Sequence, residues 1–269
     1  MKQKPSKPYK GKKPSRSTGH QPEGLDPVFG LHAVQALLAN QLPEKVWLQE
    51  GEAERRLAGL VDTLQERGVP IEFQPRQELD RLAGGASHQG VVAFCPPLAS
   101  EGESRLYWEV EQAGNQGLWL VLDGVTDPHN LGACLRSADA AGVRGVILPR
   151  DKSAPLNGVV RKVACGAAEV MPVYQVVNLS RTLAKMKSLG VWIIGTSGDA
   201  DKSIFDADFN AQVALVMGSE GRGMRRLTRE ACDHLVKLPM LGSVSSLNVS
   251  VATGICLFEA VRQQGISVS

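Results

Sequence analysis

From Val28 onward, short apolar runs alternate with stretches whose apolar residues recur every three or four positions. The two periods mark strands and helices, because side chains alternate across a strand and share a face about every 3.6 residues on a helix. The run VFGLHAVQALLAN (28–40) places Val34, Leu37 and Leu38 at helical spacing after a glycine. KVWLQ (45–49) reads as a strand, and EAERRLAGLVDTLQERG (52–68) as an amphipathic helix closed by Gly68. IEFQ (71–74) is a strand and RQELDRLAG (76–84) a helix stopped by glycine. GVVAFC (90–95) is a strand halted by Pro96 and Pro97. This alternation predicts a small α/β domain over residues 25–97. Residues 98–116 mix Pro, Ser, Gly and acids around Tyr107 and Trp108, and read as a linker with room for one helical turn.

Residues 117–269 repeat the pattern on a larger scale. The apolar runs in GLWLVLDGV, RGVILPR, MPVYQV, VWIIGTS, AQVALVMGSE and HLVKLPM read as strands. Between them, DPHNLGACLRSADAAGV, NGVVRKVACGAAE, LSRTLAKMKSLG and MRRLTREACD read as helices. SLNVSVATGICLFEAVRQQ closes the chain as a helix so apolar that deep burial is expected. The sum is an open, mostly parallel sheet covered on both faces. Ligands of such sheets bind beyond the carboxyl ends of the strands. The turns richest in Gly, Ser and Asn all follow strands, at residues 123–132, 218–223 and 242–248.

Composition excludes several classes. The apolar runs are too short for a membrane span, and the N-terminus lacks a secretory h-region. Five scattered cysteines with no CxxC pair argue against a zinc site or a disulfide framework, and fit reduced thiols in a cytosol. The net charge of +2 is unevenly spread: residues 1–22 hold seven of the 30 Lys and Arg and no acid. The remainder carries 23 basic against 28 acidic residues. The basic tail, residues 1–24, is too polar to fold alone. It reads either as a phosphate-attracting arm or as a solubilising end. A mitochondrial transit peptide is disfavoured, since the segment has no amphipathic apolar face.

The turns carry the candidate chemistry. There is no GxxxxGK[ST], and GSEGRG spaces its glycines as GxxGxG, so neither a P-loop nor a dinucleotide fingerprint is present. Asp127, Pro128 and Asn130 sit just before a helix expected to start near Leu131, where Asp and Asn suit N-capping as well as ligand contact. Arg136 lies in a helix otherwise lined with Ala, Leu and Cys, where a guanidinium calls for a carboxylate or phosphate partner. Glu220 sits between glycines, with Arg222, Arg225 and Arg226 close enough in sequence to pair with it or to face a phosphate backbone. Ser246 or Asn248 caps the last helix, or its N-terminus offers amides to a ligand. No Ser/His/Asp or Cys/His pattern occurs, and no histidine pair has metal-ligand spacing.

Taken together, DPHNLGACLRSADAAG, VMGSEGRGM and LPMLGSVSSLNVSVATGICLFEA resemble motifs 1, 2 and 3 of the SpoU (TrmH) branch of the SPOUT RNA 2′-O-methyltransferases. The resemblance covers residues 28–269. It implies an N-terminal L30e-like α/β domain that binds substrate, and a C-terminal SPOUT domain with a parallel sheet and a deep trefoil knot. It implies S-adenosyl-L-methionine bound in that knot, with contacts at Gly218, Leu238 and Leu247 and with Met217, Met240 and Ser246 nearby. The family's polar catalytic positions match Asn130, Arg136, Glu220, Ser246 and Asn248; only Ser219 and Arg222 fall where relatives vary. No metal is implied. The run KVACGAAE and the full third motif are most similar to the bacterial group that methylates a guanosine in the P loop of 23S rRNA. The expected partners are therefore 23S rRNA or pre-ribosomal large-subunit RNA, and a second copy of the chain in a cytoplasmic homodimer whose active site draws on both subunits. The alternatives are a tRNA or another rRNA nucleotide as substrate, or a non-catalytic ribosome-assembly factor. Intact polar residues in all three motifs argue against the last.

Overall fold

In a computed structural model of the protein, residues 22–51, 56–85, 87–114 and 117–265 are described. Most of the basic tail, and residues 52–55 of the expected second helix, lie outside the described residues. The chain forms two sheets, each buried on both faces.

The N-terminal sheet has the order β1–β4–β2–β3, built from β1 (Asp26–Phe29), β2 (Lys45–Gln49), β3 (Ile71–Gln74) and β4 (Val91–Cys95). Only the β2–β3 pair is parallel. Strand alternation splits β4 between two cores. Val91, Ala93 and Cys95 pack with helices α1 (Leu31–Asn40) and α2 (Ala58–Glu66), through Val34, Leu37, Leu60 and Leu64. Val92 and Phe94 face α3 (Arg76–Ala83), where Phe94 meets Trp47 edge-on at 4.8 Å between ring centroids. Strand β1 is an addition to the sequence reading: DPVF is too short to show a period of its own, and its pairing with β4 makes it a strand.

The second sheet is parallel throughout, in the order β7–β6–β5–β10–β8–β11–β9. Its strands are β5 (Leu118–Asp123), β6 (Gly145–Pro149), β7 (Val173–Val176), β8 (Trp192–Thr196), β9 (Lys202–Ser203), β10 (Val213–Gly218) and β11 (His234–Lys237). The two-residue β9, too short for any periodicity, was not expected. In β5, Leu118, Leu120 and Leu122 face one core, shared with α5 (Pro128–Ala140) and the closing helix α10 (Val249–Gln264). Trp119 and Val121 face the other, with α8 (Leu179–Ser188) and α4 (Glu103–Gln112).

Helix α4 corrects the linker reading. Ten residues inside 98–116 are helical, and Leu106 and Val110 are buried in the second core, so this segment belongs to the C-terminal domain. The expected helix over NGVVRKVACGAAE is two helices, α6 (Gly158–Ala164) and α7 (Ala167–Val170). Cys165 and Gly166 both take left-handed backbone (φ 51° and 94°), which ends the first helix and re-aims the chain. Helix α9 (Arg226–Ala231) lies between β10 and β11.

The expected deep burial of the last helix holds for one side only. Thr253, Cys256, Leu257 and Ala260 of α10 are buried, whereas Val251, Ile255 and Phe258 form an exposed stripe. A helix capping one face of a sheet has one side covered; this one is apolar on both. Among the described residues, no helix is long and apolar enough to cross a membrane.

The domains meet at α6. A side chain at Gly158 would collide with the Pro27 carbonyl of β1 at 2.2 Å, so glycine permits the contact. Arg161, buried at this junction, donates from Nη2 to the Pro96 carbonyl, and its Nε lies 3.1 Å from the buried Glu169 carboxylate. Burial raises the Glu169 carboxyl pKa, with the Arg161 charge opposing.

Candidate functional site

Parallel register sets the site. Gly218, the last residue of β10, pairs with Asp123, the last residue of β5, so the turns that follow leave the sheet side by side. Asp127 caps α5 by accepting from the His129 amide at 2.9 Å, and Pro128 takes the first helical position, where no amide is needed. That start points Asn130 at the neighbouring turn. Asn248 caps α10 with its Oδ1, which accepts from the amides of Ser250 (3.0 Å) and Val251 (3.4 Å). Its amide nitrogen is thereby turned outward. It donates to Asn130 Oδ1 at 2.9 Å and to Glu220 Oε1 at 2.6 Å. Asn130 Nδ2 and the Val249 amide also donate to Glu220 Oε1, at 3.3 and 3.2 Å.

One carboxylate oxygen thus ties three turns that are 28 to 118 residues apart in sequence. It sits at the amino end of α10, where the helix dipole favours negative charge. Among the described residues no donor reaches its other oxygen, Oε2. Of the two candidates for capping the last helix, Asn248 is the one whose side chain does so, and the same side chain joins Asn130 to Glu220.

The turn bearing Glu220 is held from behind. Ser219 and Gly223 exchange backbone hydrogen bonds at 3.1 and 2.9 Å, with Gly221 and Gly223 in left-handed backbone. A Cβ at Gly218 would lie 2.3 Å from Gly223 and Met224 backbone atoms, so only glycine lets the turn fold back this closely. Buried Asp123 accepts from the Arg225 amide (2.8 Å) and from its Nε (2.6 Å). The basic residues do not pair with Glu220: Arg225 holds Asp123, Arg226 holds Glu230, and Arg222 lies along the cavity walls.

Two cavities meet at this turn. The first, about 470 Å³, is lined by Met217, Gly218, Leu238, Met240, Ser246 and Leu247 among others, which are the six residues expected near a cofactor. The second, about 530 Å³, opens beside Asp127, Asn130, Lys152 and Arg225. Ser219, Glu220, Arg222, Gly223 and Val249 are common to both linings. Both volumes suit a nucleoside-sized occupant.

Of the five expected catalytic residues, three are brought into one hydrogen-bonded cluster. Ser246 stands on the rim of the first cavity. Arg136, six residues beyond Asn130 on α5, borders neither cavity; its Nη1 donates to the exposed Cys165 thiol at 3.5 Å. Two residues were missed. Asp123 had a signal, an acid ending an apolar strand. Asp199, on the first cavity's wall, had none in the local sequence: Arg229 and then Ser197 hydrogen-bond its carboxyl and hold it down at about 2. Among the described residues, no group of three His, Cys, Asp or Glu side chains could hold a metal ion.

A parallel sheet with two reactant-sized cavities meeting at one carboxylate is an architecture for group transfer. The chain belongs to the SpoU rRNA Methylase family, whose model matches residues 117–258. A second model, described as RNA 2′-O ribose methyltransferase substrate binding, matches residues 27–100. The chain is 55% identical over 244 residues (90% of this chain, 98% of the relative) to the 23S rRNA (guanosine-2′-O-)-methyltransferase RlmB of Pseudomonas putida. It is 53% identical over 240 residues (88% of this chain, 98% of the relative) to the protein of that name from Escherichia coli. The fold matches that of an AdoMet-bound rRNA methyltransferase from Sinorhizobium meliloti, with TM-score 0.70 at 22% identity, covering 91% of this chain and 89% of the other.

Proposed function

We propose that this chain is an S-adenosylmethionine-dependent methyltransferase that modifies the ribose 2′-hydroxyl of a guanosine in 23S rRNA, in the P loop of the peptidyl transferase region. The observation that carries the reading is the Glu220 carboxylate in the common wall of two cavities, one oxygen tied down and the other, among the described residues, without a donor. The relatives' substrate, 23S rRNA, supports the choice of RNA and a cytoplasmic setting.

The first cavity fits the cofactor: apolar walls at Met217, Leu238 and Leu247 suit an adenine ring, and Gly218 leaves its backbone open to close approach. When bound there, the cofactor supplies a methyl group already activated on a sulfonium. The chain's own task is positioning and proton handling. As the 2′-oxygen forms its bond to the methyl carbon and the sulfur–carbon bond breaks, the hydroxyl proton must leave. Glu220 Oε2, directly or through one water, is the acceptor. Asn130 and Asn248 hold the other oxygen, so the carboxylate keeps its aim. Arginine stays protonated in proteins. Arg136 therefore anchors phosphate and stabilises the developing negative charge instead of acting as base.

Within one chain Arg136 borders neither cavity and donates to Cys165, and Val251, Ile255 and Phe258 leave an exposed apolar stripe on α10. Both features support a homodimer in which a second copy covers the stripe and delivers its Arg136 to the cluster. The return of residues 238–248 from β11, two strands beyond β10, to the Glu220 cluster supports a knotted path. Ribose-methylation mapping of total rRNA with and without the protein tests the function. One guanosine of 23S rRNA losing its mark is the expected result; an unchanged rRNA map overturns the substrate.

A further inference from the structure

We infer that a third cavity, in the N-terminal domain, is an RNA phosphodiester site that holds the substrate strand for the transfer site. It measures about 560 Å³ and is lined by Gln49, Arg56, Arg76, Asp80, His88 and the turn around them. Nothing in the proposed transfer chemistry uses it.

The turn is built, not slack. His88 is buried; its Nδ1 accepts from the Gly90 amide at 3.0 Å, so the proton is on Nε2, which donates to Asp80 at 2.8 Å. That bond, ahead of the Arg76 charge, holds the Asp80 carboxyl below the ordinary range. Gln89 takes left-handed backbone (φ 52°), costly for a residue with a side chain, and its Oε1 accepts from the first amide of α1 at 2.9 Å. Arg56 donates to the Gln89 carbonyl at 2.8 Å. Arg76 pairs with the other oxygen of Asp80 at 3.4 Å, so two exposed guanidinium groups line the cavity with a single carboxylate between them, a positive balance of one charge. A guanidinium fork matches phosphate oxygens in geometry as well as charge.

The cavity also lies on a route to the transfer site. Lys162 of α6 reaches the Ser87 carbonyl of this turn at 3.5 Å. On the same helix, Val163 packs so tightly on Gly132 that a Cβ there would approach it to 2.8 Å, and Gly132 is two residues past Asn130. Helix α6 therefore packs against both the turn that lines this cavity and the helix that carries Asn130. The substrate-binding match over residues 27–100 encloses every residue of the cavity without assigning any contact.

This inference rests on the reading of the chain as an RNA ribose methyltransferase, and the test separates the two. The full chain and an Arg56→Ala/Arg76→Ala pair are assayed on unmodified 23S rRNA transcript. The paired variant is expected to raise KM for RNA about tenfold at unchanged turnover under saturating RNA and unchanged S-adenosylmethionine affinity. Its log–log salt dependence of RNA binding should be shallower by about 0.7 to 0.9 for each phosphate no longer neutralised. Arg→Lys at both positions should restore the salt slope while leaving KM raised, because a lysine keeps the charge and loses the fork. Wild-type KM and slope in the alanine pair overturn the cavity assignment alone. A wild-type chain that binds cofactor and RNA but transfers no methyl group overturns the functional reading, and the salt slope still decides the cavity.

Discussion

The two ends of one helical turn-and-a-half of α5 behave differently. Asn130 is locked to Asn248 and Glu220, each partner fixed by its own cap or helix amide. Among the described residues, Arg136 reaches only the thiol of Cys165, at the break between α6 and α7. The first is a preorganised arrangement, complete within a single chain. The second is a charge left exposed at the surface. The contrast sets half of a site, assembled to high definition within one chain, against a guanidinium that only the proposed dimer would bring to it.

The contrast can be broken at its rigid side first. Gly218→Ala puts a methyl group 2.3 Å from backbone atoms of Gly223 and Met224. The loop has to move, at a cost of roughly 1–3 kcal/mol, and Glu220 moves with it. Calorimetry should show S-adenosylmethionine binding lost and turnover abolished. Normal cofactor binding would mean that the tight turn is not what shapes the first cavity.

The open side is tested by complementation. Arg136→Ala and Glu220→Gln should each lower turnover by about a hundredfold or more, while cofactor binding persists. Glutamine keeps the acceptor oxygen for Asn130 and Asn248 but offers no base. If each site takes Glu220 from one chain and Arg136 from the other, co-refolding equal amounts of the two variants yields one intact site per mixed dimer. About a quarter of wild-type activity should return. No recovery would place Arg136 outside the shared site.

The smallest effect lies at the far end of α10 from the cluster. Arg262, ahead of Gln263, hydrogen-bonds Glu259 and holds its carboxyl down at about 2, against an ordinary value of 4.5. The folded value is the lower one, so the stabilisation is full above pH 4.5 and is lost as pH falls toward 2. Glu259→Gln should cost up to about 1 kcal/mol at pH 7 and little at pH 2 in denaturant titrations. Turnover at neutral pH should match wild type. A loss of turnover would extend the catalytic rim along the whole helix.

Much of this was legible in the chain. Most strands show because strands buried on both faces read as apolar runs, and the helices because glycine and capping residues bound them. Asp127 before Pro128 and Asn248 before Val249 announce helix starts. What escaped detection was short or non-local: β1 and β9 are strands only because a neighbour pairs with them. Helix α4 was hidden in a polar stretch whose two buried apolar residues, Leu106 and Val110, are too few to show a period.

By itself, the sequence determined which residue types stand in which turns: amides, a carboxylate and small residues at strand ends, a guanidinium on an apolar helix. Local rules of capping, period and backbone freedom are enough for that. Only the tertiary structure decided which of them meet. The parallel register of β10 on β5, the return of the last helix to α5 and the lack of room at Gly218 bring Asn130, Glu220 and Asn248 onto one oxygen. The same packing sends Arg136 elsewhere. Pairings 28 to 118 residues apart depend on how sheets and helices stack, which no local pattern encodes.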